Sequence, residues 1–213
     1  MTVKHLTIAV LLALCLTGRF AAADSALHPA KLDGVIPIEP DPAITPGASG
    51  PSVIDPRLTK AVLCDPTHHT KQDRDVTESD KVATYAAYGI VVPKVKKTMP
   101  NRKTKLVYNF HVGYCATKQG CEVDHLCSLE NGCSNSPLNR WVEPYEGTIW
   151  SAHAKDIVEN RLHKLMCAGK VELADDQNIL STDWISGWFK YVSPLPPTPA
   201  GTIDPKTPKG FGG

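Results

Sequence analysis

Four cysteines, at 115, 121, 127 and 133, recur at every sixth position of one stretch, GYCATKQGCEVDHLCSLENGCSNSPLNRW (residues 113–141), and two more stand far from it, at 64 and 167. What thiols so placed can do depends on the compartment. Lys4 and His5 precede an apolar run from Leu6 to Leu16, and Ala21, Ala22 and Ala23 supply small residues ahead of Asp24, the layout of a cleavable secretory leader over 1–23. The run is too short to anchor a chain in a bilayer. A secreted or periplasmic product with no membrane segment is therefore expected, and loss of the leader removes Cys15 and leaves an even set of cysteines. In an oxidising compartment such a set defaults to disulfides. Structural zinc is the competitor, but its knuckles keep roughly two to four residues between ligands, whereas each gap here is five. The expected pairing is Cys64 with Cys167, tying together two helical regions, and Cys115 with Cys121 and Cys127 with Cys133 as local clasps that stiffen the segment.

Proline divides the chain. Prolines at 29, 37, 40, 42, 46, 51 and 56 punctuate residues 24–57, and prolines at 194, 196, 197, 199, 205 and 208 punctuate residues 193–213, with few large apolar residues in either. Such segments bury too little surface to offset the entropy of ordering, so both are expected to be extended or disordered tails. Residues 58–192 remain as one domain. Within it, Thr77 and Asp80 have the spacing of a capping box ahead of Val82, Tyr85 and Ala86, which predicts a helix over 78–88. Ile157, Val158, Leu162, Leu165 and Met166 recur at helical spacing over 152–168, with Lys155 and Glu159 one turn apart on the outer face. A shorter helix is expected over 173–181, leading into Trp184, Ile185, Trp188 and Phe189 as core aromatics. Strand patterns fall at 105–112, 122–126 and 139–142, the last with Trp141 pointing inward, and Asn131-Gly132 is a turn signal. The fold class is α+β: a small β-hairpin plus helix, flanking helices and Pro-rich tails.

Charge excludes one broad class. From 23 basic and 22 acidic residues, losing Lys4 and Arg19 with the leader leaves a nearly neutral chain, with no global attraction to nucleic acid or to an anionic membrane. Any attraction must be local, and Lys94, Lys96, Lys97, Arg102, Lys103 and Lys105 are the concentration that could supply it. On composition alone that run is a solvated loop. Polar residues of ligand type gather elsewhere: Asp124 and His125 at a strand end, Asn139 after a turn, and His153 in the first turn of the following helix. Carboxylate and amide oxygens suit a hard divalent cation, and an imidazole beside them can take a proton from water.

The run Glu122-Val-Asp-His-Leu126, the turn Gly132-Cys-Ser-Asn135, Asn139-Arg-Trp141 and the helix Ala152-His-Ala-Lys-Asp-Ile-Val-Glu-Asn-Arg-Leu-His163 resemble the HNH (ββα-metal) nuclease superfamily. The likeness is nearest to exported bacterial proteins with an EVDHL, GGSN and NLW pattern. It extends to Tyr85-Ala-Ala-Tyr-Gly89, Cys167-Ala-Gly169 and Thr182-Asp-Trp184, and so covers most of 58–190. The resemblance implies that His125 is the general base, that Asp124, Asn139 and His153 hold the metal, with Asn139 in some versions orienting the base, and that Lys155 or Arg140 assists. The implied cofactor is Mg²⁺, with Mn²⁺ or Zn²⁺ as alternatives. The implied activity is hydrolysis of phosphodiester bonds of DNA, or secondarily RNA, with low sequence preference and with the basic run 94–105 holding the backbone. Two departures, Asn131-Gly132-Cys133 for Leu-Gly-Gly and Arg140 for Leu, fall at the turn and its exit. They raise the alternative of a non-catalytic, disulfide-stabilised binding or effector protein that keeps the fold.

Overall fold

The computed structural model describes residues 36–209 together with the backbone of Leu32–Asp33; the expected leader over 1–23 lies outside the described residues. The architecture is mixed α+β, with three separate two-stranded antiparallel sheets and two long helices among the described residues. In chain order the elements are β1 (Leu32–Asp33), β2 (Ile36–Pro37), α1 (Lys60–Leu63), α2 (Glu78–Ala87), β3 (Lys94–Thr98), β4 (Thr104–Tyr108), β5 (Cys121–His125), β6 (Arg140–Pro144), α3 (Ala152–Cys167) and α4 (Leu173–Tyr191). Among the described residues no helix is long and apolar enough to cross a membrane.

The hairpin β5–β6 is the centre. Its register pairs Glu122 with Glu143, Asp124 with Trp141 and His125 with Arg140, so alternate residues face opposite sides. Val123 and Val142 pack with Tyr85 of α2, while Trp141 is fully buried in a core shared with Ala154, Val158 and Leu162 of α3 and Leu180, Trp184 and Trp188 of α4. Trp150 meets Trp184 and Trp188 edge-on, at centroid distances of 5.8 and 6.1 Å, the geometry that aromatic quadrupoles favour. The α2 N-terminus carries the expected box: Asp80 N donates to Thr77 Oγ1 and Thr77 N to Asp80 Oδ2, at 3.2 and 2.9 Å.

Three disulfides, Cys64–Cys167, Cys115–Cys121 and Cys127–Cys133, join the cysteines as expected, and they fit an oxidising compartment. The third closes the turn containing Gly132, whose φ of +83° suits glycine and where an added Cβ would stand 2.9 Å from Gln177 Nε2 and 3.1 Å from the Leu58 carbonyl.

Three expectations need correction. Of the Pro-rich segment expected over 24–57, the described residues 36–57 are packed, not a loose tail: Ile38 and Val53 are in the core, Ser134 N donates to the Val53 carbonyl at 2.7 Å, and Asp55 N donates to the Gly132 carbonyl at 3.1 Å. Few apolar residues suffice because proline has already restricted the unfolded chain. The start of the segment after 192 is held as well, by Trp188 Nε1 donating to the Leu195 carbonyl at 2.8 Å and by a buried Ser193. The helix expected to stop at 181 resumes after a break at Asp183 and runs to Tyr191. Asp183 Oδ1 accepts from Ser186 N at 2.9 Å and its Oδ2 from Ser186 Oγ at 2.7 Å, so Asp183 acts as the N-cap of the second half.

Candidate functional site

Where the end of β5 meets α3, a polar recess of about 260 Å³ is lined by Arg74, Asp124, His125, Glu130, Asp156 and Asn160, among others. Each side chain arrives by a local cause. β5 ends at His125, and the Leu126 amide then donates to the Asn139 carbonyl at 2.7 Å, closing the hairpin above the recess. Asp156 and Asn160 are one turn apart on α3, where Asn160 Nδ2 donates to the Asp156 carbonyl at 2.7 Å and leaves its own carbonyl oxygen outside that bond. Arg74 comes from the segment leading into α2 and is exposed.

His125 is 3% exposed, and its Nε2 is buried without a hydrogen-bond partner. Burial disfavours the imidazolium and lowers its pKa to about 4, with Arg74, Lys155 and Arg140 adding to the effect and Asp124 opposing it. The ring is therefore neutral through the physiological range, and its nitrogen can accept a proton.

Lys155 organises what lies behind. Its ammonium is buried and donates to Asp124 Oδ2 at 2.8 Å, to the His125 carbonyl at 2.7 Å and to Glu159 Oε1, with Glu143 Oε2 at 3.9 Å. Burial works against its charge, and the surrounding carboxyls outweigh burial, so the pKa rises well above the ordinary lysine value. Burial would raise Asp124 too, but Lys155 overrides it and holds that carboxyl below its usual range. Glu143 and Glu159 have no such surplus of cation, and burial drives both well upward; both oxygens of Glu143 are buried without hydrogen bonds. One ammonium thus serves three carboxyls, holding Asp124 below its usual range while burial carries Glu143 and Glu159 above theirs. Glu122, across the strand pair from Glu143, is raised by burial to about 7.

The sequence-predicted residues divide. Asp124 and His125 stand together in the recess. Asn139 is buried and committed to the hairpin: its Oδ1 accepts from Cys127 N at 3.0 Å, and its Nδ2 donates to the carbonyls of Cys127 and Ser134 at 2.8 and 3.1 Å. It positions the loop that carries His125 and is not brought to the recess as a ligand. His153 is exposed on the same face of α3 as Asp156, one turn before it and near enough to act on its carboxyl, but it is not among the residues that line the recess, and its ring meets Tyr145 edge-on at 4.5 Å. Arg140 is buried and reaches back toward Asp80 Oδ1 at 3.5 Å, not into the recess. Lys155 and Glu159 are on the inner face of α3, not the outer. Lys94, Lys96, Lys97, Arg102, Lys103 and Lys105 are exposed on β3, β4 and their turn, which form a paired ribbon where a loop was expected.

Sequence reasoning missed Arg74 and did not place Asp156 or Asn160 at the site. The available signal was the i, i+4 pairing of Asp156 with Asn160 on the face next to that of Lys155. Among the described residues no group of three or more His, Cys, Asp and Glu side chains stands at metal-holding distance. Among the donors that line the recess, the carboxyls of Asp124 and Asp156 and the amide of Asn160, beside the His125 imidazole, are of the oxygen type that suits a hard divalent cation. Comparison with protein-family models finds no match, and neither the curated proteins nor the solved structures give a significant one.

Proposed function

We propose that the recess is the active site of a divalent-metal-dependent endonuclease of the HNH, ββα-metal type, exported from the cell and acting on phosphodiester bonds of DNA. The observation that carries this reading is the buried, neutral His125, which lines a mostly polar recess and whose Nε2 has no hydrogen-bond partner. A buried polar nitrogen without a partner is costly, and such costs concentrate at functional sites. The hairpin β5–β6 followed by α3 supplies the β-β-α order the type requires.

In this reading, water held at His125 Nε2 gives up its proton to the ring as its oxygen attacks phosphorus and the bond to the 3′ oxygen breaks. Arg74, exposed at the rim, meets a non-bridging oxygen of the phosphate. Asn139 keeps the hairpin closed so that His125 holds its position, and Lys155 keeps Asp124 ionised. A divalent cation, Mg²⁺ in first place, would be held by Asp124 with Asp156 and Asn160, and would offset the negative charge that develops on the leaving oxygen.

One observation favours a second reading, a binding or effector protein that retains the fold without the reaction: Asp124 Oδ2 already accepts a hydrogen bond from Lys155. Isothermal titration with Mn²⁺ separates the two. The nuclease reading expects binding that weakens at least about 10-fold in Asp124→Ala, the size typical of an altered metal shell. Binding unchanged by the substitution would favour the second reading.

A further inference from the structure

We infer that the ribbon β3–β4 is a docking element that seats in the major groove of B-form duplex DNA, an inference that takes its choice of polyanion from the nuclease reading. Charge is segregated on this chain: between Asp80 and Glu122 there is no acidic residue, and the cations of that interval cluster on the ribbon. Lys94, Lys96, Lys97 and Lys105 lie on its strands, and Arg102 and Lys103 at its tip. The ribbon is a built structure. Its five residue pairs run from Lys94 opposite Tyr108 to Thr98 opposite Thr104, and Met99 N to the Lys103 carbonyl and Arg102 N to the Met99 carbonyl, both 2.8 Å, close the tip. It is nevertheless exposed along all of β3 and through Leu106 of β4.

The register decides what can cover it. Lys94 and Lys96 point to one face, Lys97 and Lys105 to the other. Lys97 and Lys105 are directly opposite one another, a like-charge pair that works against the hairpin until an anion lies between them. The exposed aliphatics are also divided, with Val95 on one face and Leu106 on the other. No apolar face exists to lie in a bilayer surface, which an interfacial element needs. Nor is there a free aromatic platform for unstacked bases: Lys94 Nζ lies over the Tyr108 ring at 4.6 Å, and Phe110 packs on Tyr85 at 5.2 Å. A strand pair with cations on both faces fits between two rows of phosphates. The major groove of B-form DNA, roughly 12 Å wide, admits a two-stranded ribbon, whereas the major groove of duplex RNA is too deep and narrow.

The test uses the full mature chain carrying His125→Ala, without added metal, in fluorescence anisotropy with a labelled DNA duplex, the same sequence as duplex RNA and as single strands, and a DNA duplex whose cytosines carry bulky glucosyl groups in the major groove. Vesicles with anionic lipid are tested by co-sedimentation. The DNA duplex is expected to bind tightest, glucosylation to weaken binding at least about 10-fold, and Lys96→Gln with Lys97→Gln and Lys105→Gln to lower the salt slope by about one per residue. Lys170→Gln with Lys206→Gln and Lys209→Gln, removal of the same three charges at exposed sites elsewhere, controls for net charge. Equal binding of RNA or single strands, indifference to glucosylation, a triple variant no weaker than the control, or preference for vesicles would each overturn the inference. Its failure is separable from that of the nuclease reading. A wild-type protein that cleaves DNA equally well after the three ribbon substitutions keeps its activity and loses this docking role, while duplex binding through the ribbon without cleavage does the reverse.

Discussion

Among single residues, a histidine that is neutral and a lysine that is not govern the site. Both states follow from burial, which disfavours charge; His125 has too little opposing help and Lys155 has three carboxyls within reach. Replacing Lys155 by Met leaves Asp124 and Glu159 without their shared donor. Loss of about 3–5 kcal/mol is expected, read from urea denaturation, and an unchanged midpoint would refute the hub role. The same residue marks a limit of sequence reasoning. Helical periodicity places Lys155 and Glu159 on one face but cannot say which face is wet, because the deciding partner, Asp124, arrives from a different element. Asp124 and His125 themselves were legible as a polar pair at a strand end, and the capping box of α2 could be read from two residues because its hydrogen bonds are local.

Elements act through the contacts that join them. The loop leaving β5 is tied to α4 by Ser128 Oγ donating to Asn131 Oδ1, Asn131 Nδ2 donating to Asp176 Oδ2 at 2.5 Å, and Gln177 Nε2 donating to the Asn131 carbonyl at 3.0 Å. Asp176 is fully buried, and burial raises its pKa to about 7 despite the Asn131 hydrogen bond. Since the folded value lies above the unfolded one, its contribution to stability is complete below about pH 4 and is lost as pH rises toward 7. Asp176→Asn keeps an acceptor for Asn131 and removes the titration. Relative to the variant, the wild type should lose about 2–3 kcal/mol between pH 5 and pH 8, measured by denaturation at both values; parallel pH dependences would contradict the assignment. None of this network was visible in sequence, where Asp176 is one acid near the start of a helix. The ribbon β3–β4 was missed in part for a related reason: β4 alternates well enough to suggest a strand, whereas β3, Lys94–Thr98, is mostly cationic and becomes a strand only through its pairing.

Across the whole molecule, proline-rich ends and disulfides set how the site is held. The segment from Ile36 to Arg57 contributes Ile38 and Val53 to the core, which composition hid because so few large apolar residues are involved. The cysteine pairs were within reach of sequence reasoning because two of them close local turns. Cys64–Cys167 spans a separation of 103 residues and Cys115–Cys121 one of 6, so in the loop-entropy picture the first is worth about 4–5 kcal/mol and the second about 2. Thermal denaturation of the paired Cys→Ala variants is expected to rank them in that order, and the reverse order would contradict it. The claim that joins all three scales is that His125 is the base of a nuclease. The most direct measurement is nicking of supercoiled plasmid by the purified mature chain with Mg²⁺ or Mn²⁺, compared with His125→Ala from pH 4 to pH 9. The account predicts cleavage by the wild type, a fall of about 10²–10⁴-fold in the variant, and no loss of wild-type activity from pH 8 down to about 5, because His125 protonates only near 4. No nicking at any pH with either metal, or equal nicking by a folded His125→Ala protein, would contradict it.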